Sequence, residues 1–157
     1  MLFRSFACRA ITRDPSKDKA KALASQGAEV VKADLDDVES LKKAFAGAHG
    51  VFVVTNFWEH FSGEKEKAQA KNAADAARAA AVKHVIWSTL EDTRKLLPPG
   101  DQRMPMLQEK YRVPHFDAKA EADEYFAGLP LTKLLASFYW DNFYMFGLGP
   151  KKAEDGG

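Results

Sequence analysis

Five short apolar runs, separated by segments of helical length, constrain this chain more than any other feature. The runs are Phe6–Thr12, Ala28–Ala33, Val51–Val54, Val82–Ser88 and Leu131–Ala136. Short apolar stretches bounded by turn residues read as strands. Between them, Lys17–Gln26, Val38–Ala46, Glu64–Ala81 and Phe116–Phe126 carry helical patterning. Gly27 and Gly47 stand where helices commonly stop. Leu41, Ala44 and Phe45 share one helical face. The unbroken run Val51-Phe52-Val53-Val54 predicts a strand buried on both sides. The Ala-rich stretch to Ala81 combines high helix propensity with room for a sheet to approach closely. Strands alternating with helices imply right-handed crossovers, a mainly parallel sheet and helices on both faces. That is an α/β three-layer sandwich.

A chain of 157 residues is a single-domain length. Its apolar content of 46% and charged content of 29% are ordinary for a globular protein. A net charge of +1 gives no general reason for direct nucleic-acid or membrane binding. The longest apolar run is too short to span a bilayer. The single cysteine, Cys8, cannot form an internal disulfide. Arg4, Arg9 and Arg13 without an acid raise a mitochondrial presequence, but no Ser-rich amphipathic helix follows. The alternative is a strand whose basic end faces a phosphate. Residues 1–150 are expected to form the domain, and 151–157 a mobile polar tail.

Parallel α/β sheets bind ligands beyond the carboxyl ends of their strands. The first strand ends near Arg13 and Lys17, one helical turn apart. A guanidinium there can grip a ribose 2′-phosphate, favouring NADP over NAD; a solvated pair at a helix start is the competing explanation. At the second strand end, Asp34 can accept from an adenine amino group while Leu35 covers the ring. Helix N-capping suits Asp36 and Asp37 better. Thr55, Asn56 and Phe57 follow the third strand and can line a ribose and nicotinamide, although aromatics there are equally suited to the core. Ser88-Thr89 ends the fourth strand. The 90–114 stretch, with Pro98, Pro99, Pro105 and Pro114, is long enough for a lid or binding segment. His115 and Lys119 are four apart, on one helical face. The four histidines and Cys8 lack metal-ligand spacing.

Taken together, Ala-Ile-Thr-Arg-Asp-Pro (10–15), Gln-Gly-Ala-Glu-Val-Val (26–31), Asp-Leu-Asp-Asp (34–37), Val-Thr-Asn-Phe-Trp-Glu (54–59), Trp-Ser-Thr-Leu-Glu (87–91) and His-Phe-Asp-Ala-Lys (115–119) resemble the NmrA-like family. Its members are atypical short-chain dehydrogenases/reductases. The resemblance covers roughly residues 8 to 155. It implies an NADP-binding Rossmann-like fold that works as a redox-sensing regulator through protein partners, including transcription factors, in the cytoplasm and also the nucleus. By the same resemblance, Arg13 and Lys17 would meet the 2′-phosphate and Asp34 and Leu35 the adenine. Thr55, Asn56 and Phe57 would lie along the cofactor and Lys119 would bond the nicotinamide ribose. Tyr139, Trp140, Asp141 and Asn142 would close over the nicotinamide end.

Two departures from the family pattern stand out. No glycine precedes Gly27, so the first strand and glycine-rich turn of the family are missing. That strand would lie between the first and third strands here, and its loss would expose backbone groups on both. The family's C-terminal region would begin about where this sequence stops, so the chain is expected to be truncated at both ends. Many Rossmann-type reductases pair a Tyr with a Lys at this spacing, and here His115 takes the Tyr position. His115 is a candidate general acid, but its replacement of Tyr favours binding over turnover. An NADPH-dependent reductase and a fragment without independent function are the alternative readings.

Overall fold

The computed structural model describes residues 6–136, 139, 141–145 and 149. The strands are β1 (Arg9–Thr12), β2 (Glu29–Lys32), β3 (Gly50–Val53), β4 (His84–Thr89) and β5 (Leu131–Leu135). The helices are α1 (Asp18–Ser25), α2 (Val38–Phe45), α3 (Gly63–Ala79), α4 (Pro114–Ala122) and α5 (Asn142–Met145). Every strand pairing is parallel, and the connections run through helices, as the alternating pattern predicts. The elements are shorter than expected: α1 and α2 have eight residues each. The run expected to be helical from Phe116 to Phe126 begins at Pro114 and tightens into a 3-10 turn at Asp123–Phe126. Pro at the first helical position fits, because its missing N–H would have no partner there. The expected mobile tail, 151–157, lies outside the described residues.

The sheet is divided. Among the described residues, β1 pairs with β2, β3–β4–β5 form a separate group, and β1 and β3 each keep one open edge. The Arg9 guanidinium, at the start of β1, donates to the carbonyls of Ala44 and Ala46 ahead of β3, at 2.7 and 3.0 Å. Arg13, just past β1, meets Glu59 beyond β3 at 2.8 Å. The two strands therefore run in the same direction. A cleft of about 470 Å³ lies between them, with Ile11 on one side, Phe52 and Val54 on the other, and Leu41 and Phe45 of α2 also lining it.

This division corrects the expectation that Val51–Val54 is buried on both sides. Val53 is buried, but Phe52 is 59% and Val54 44% exposed, so the face of β3 opposite Val53 is open. The main core lies under α2 and α3. Leu41, Ala44 and Phe45 pack there with Ala70, Ala73, Ala74, Ala76 and Ala77, Trp87 and Phe126. The alanine stripe allows the close approach that its sequence predicts. Trp87 stacks on Phe126 with ring centroids 4.8 Å apart.

The segment 90–114 is anchored. Arg112 is 1% exposed and donates to the carbonyls of Leu97, Pro98, Asp101 and Met104. Asp117 of α4 accepts from the backbone N–H groups of Thr93, Arg112 and Val113, at 2.7 to 3.2 Å. These bonds satisfy polar groups of the segment and fix the entry to α4.

Candidate functional site

A cavity of about 490 Å³ opens at the carboxyl ends of β3, β4 and β5. Seven of the residues singled out in the sequence line it: Thr55, Asn56, Phe57, His115, Lys119, Tyr139 and Asn142. The cleft beside β1 contains Arg13, Asp34 and Leu35. Val54 and Asn56 belong to both walls, so the two spaces adjoin. Lys17 and Asp141 are exposed and line neither space, and Trp140 lies outside the described residues.

Local structure explains each placement. Lys17 occupies the N-cap position of α1 without a side-chain cap bond. The Asp14 carboxylate instead accepts from Ser16, which holds its pKa below the usual carboxylate value. Asp37 caps α2 by accepting from the N–H groups of Glu39 and Ser40, as expected for that position. Asp36 has a different role from the expected cap: it receives Gln69 at 3.1 Å and pairs with Lys65 at 2.7 Å. These donors, Lys65 first, lower its pKa against the opposing effect of burial.

Lys119 is 8% exposed. Its Nζ donates to Thr55 Oγ1 at 2.8 Å, Ser88 O at 3.2 Å and Thr55 O at 3.3 Å. It also lies 3.2 Å from Glu66 Oε1 and 4.8 Å from the Trp87 ring centre. An ammonium has three donors, and four oxygens of the protein already surround this one. Burial pushes its pKa down, while the Glu66 charge opposes that shift. Thr55 Oγ1 in turn donates to Glu66 Oε1.

His115 packs among rings, 4.9 Å from Trp58, 5.6 Å from Phe57 and 4.9 Å from Phe116. Burial lowers its pKa and Lys119 adds to the effect, against the pull of Glu66 and Asp117. Burial thus favours the neutral imidazole. Thr89, the second hydroxyl at the end of β4, is buried and donates to Asp123 at 2.7 Å. Ser88 lines the cavity.

Sequence reasoning missed Glu66 and His60. Glu66 is fully buried, with Oε2 unpaired 3.9 Å from His60 Nε2, which also lacks a hydrogen-bond partner. In Gly63-Glu64-Lys65-Glu66-Lys67 it looks like one member of a solvated charge run. The available signal was periodicity: positions 66, 69, 70, 73 and 77 form the buried stripe of α3.

The whole chain, residues 1–157, matches the NmrA-like family. It belongs to that family. Among curated relatives, it is 34% identical over 150 residues to the NmrA-like family domain-containing oxidoreductase FrzB of Cladobotryum sp., covering 93% of this chain and 43% of FrzB. The NmrA-like chain thus spans less than half of that relative's length. Among solved structures, it is similar to the triphenylmethane reductase of Citrobacter sp. complexed with NADP(H), with a TM-score of 0.69 and 27% identity. That match covers 89% of this chain and 43% of the reductase. The negative transcriptional regulator NmrA gives a TM-score of 0.69 and 26% identity, covering 88% of this chain and 40% of NmrA. These neighbours agree with a Rossmann-like α/β fold. Among the described residues, no helix is long and apolar enough to cross a membrane.

Proposed function

We propose that this NmrA-like domain binds NADP(H) as a redox-responsive module and acts through a protein partner, rather than as a carbonyl reductase. The commitment of Lys119 to Thr55, Ser88 and Glu66 carries this reading. In a reductase, the lysine would sit beside a proton-donating hydroxyl; here its neighbour is an imidazole among aromatic rings. The donor set suits the two ends of a dinucleotide. Arg13 supplies a guanidinium for the 2′-phosphate beside Asp34 and Leu35, while Asn56 and Phe57 lead into the cavity. A ribose hydroxyl at Lys119 would replace one of its present partners.

Exposed Trp58, Phe61 and Tyr139 lie close to the cavity in sequence or along its wall. Exposed aromatics are characteristic of interfaces, and a transcription factor is the partner class that the NmrA resemblance suggests. The cytoplasm and nucleus are the matching locations. Titration with NADPH and NADH, read by tryptophan fluorescence, tests the cofactor step. Saturable quenching that is tighter for NADPH supports it. No response at about 1 mM, a weak-binding concentration, sinks it and favours a domain without independent cofactor binding.

The name of FrzB as an oxidoreductase favours a second reading, an NADPH-dependent reductase. Turnover of a carbonyl and quinone panel, with His115→Tyr alongside, separates the two. Substrate-dependent NADPH oxidation by the parent chain would establish the second.

A further inference from the structure

We infer that Glu66 is a positioning residue of this site, holding the Lys119 ammonium at the cavity wall. The inference rests on the cavity being the ligand site, but its test requires no ligand.

An isolated buried carboxylate is strongly unfavourable. Glu66 is fully buried on α3, and Lys119 of α4 is its nearest cation, at 3.2 Å. Thr55 completes the arrangement, since its hydroxyl accepts from Lys119 and donates to Glu66. Four elements therefore meet at one charge pair: α3, α4 and the ends of β3 and β4. Other groups facing Lys119 are the Trp87 ring of β4 and His115 of α4. Glu66 is the carboxylate within ion-pair distance.

The second carboxylate oxygen of Glu66 has no hydrogen-bond partner. His60 Nδ1 accepts from the Ser62 N–H at 3.2 Å, which assigns the proton of a neutral ring to Nε2. His60 Nε2 lies 3.9 Å from Glu66 Oε2, beyond hydrogen-bond distance.

The test is 15N NMR of lysine ammonium groups at neutral pH, with Lys119→Met to assign the signal and Glu66→Gln and Glu66→Asp as variants. A held, buried ammonium retains its protons long enough to be seen, whereas solvent-exposed groups exchange them. The parent is expected to show a Lys119 signal that is lost in Glu66→Gln and recovered in Glu66→Asp. Acetylation of Lys119, read by mass spectrometry, should rise about tenfold in Glu66→Gln, because the carboxylate no longer favours the charged form. A folded Glu66→Gln protein with the parental signal and acetylation rate overturns the inference. If that variant does not fold, the parent decides: absence of a protected Lys119 ammonium overturns it, and presence supports it. Failure of NADPH to bind would overturn the proposed function while leaving these readouts intact.

Discussion

Arg13 and Glu59 form a 2.8 Å ion pair that links the end of β1 to the turn beyond β3. The guanidinium proposed for the cofactor 2′-phosphate already has an anionic partner. Both side chains are substantially exposed, at 61% and 45%, so the pair is worth less than about 1 kcal/mol. Glu59→Gln should strengthen NADPH binding by about twofold to fivefold and leave NADH binding unchanged. Arg13→Ala should remove the preference for NADPH. Paired titrations check both, and equal parental affinity for the two cofactors would contradict the assignment.

Gly63 begins α3 directly beneath Tyr111. A Cβ on Gly63 would sit 2.4 Å from Tyr111 Cε2 and 2.9 Å from Cζ. The ring is 1% exposed, and its hydroxyl donates to Glu64 at 2.8 Å, so it has little freedom to withdraw. Gly63→Ala should destabilise the fold by about 1–3 kcal/mol through overpacking. Adding Tyr111→Leu should recover part of the loss. Thermal melts of the three proteins test this, and an unchanged melting temperature for Gly63→Ala would show that the ring yields.

Gly63 also shows how far the sequence could be read. Helical propensity and alternation identify α3 and the parallel pairings, because those depend on local pattern. The partner of Gly63 lies 48 positions away, in a segment without periodicity. Lys119 was legible through its spacing from His115. Its counter-charge was masked by a run of alternating charges, although the position of Glu66 on the buried stripe of α3 signalled burial. The shortening of β1 from the expected Phe6–Thr12 to Arg9–Thr12 was not legible in the local pattern.

The lowered pKa of His115 has a defined effect on stability. An unfolded histidine titrates near 6.5, and in the fold burial moves His115 below that value, with Lys119 adding to the shift. Below about 6.5 the unfolded chain therefore binds more protons at this site, and native stability falls as pH decreases. Above about 7.5 both states are neutral here and the contribution vanishes. His115→Phe should flatten the decline in melting temperature between about pH 7.5 and 5.5. Parallel curves for variant and parent would show that His115 titrates equally in both states.

β3 and β4 provide an internal comparison of backbone protection. Among the described residues, β4 pairs on both sides, with β3 and β5, whereas β3 pairs only with β4 and β1 only with β2. In a parallel pair, successive residues direct their N–H and C=O groups alternately to the two sides. Alternate amides of β1 and β3 therefore face the cleft, while β4 amides find partners on either side. Hydrogen exchange read by NMR should show rapid exchange at cleft-facing positions of β1 and β3, slow exchange at their intervening positions, and slow exchange along β4. The exposed Phe52 and Val54 side chains give that edge little cover. Equal protection across β3 and β4 would mean that the edge is covered in solution.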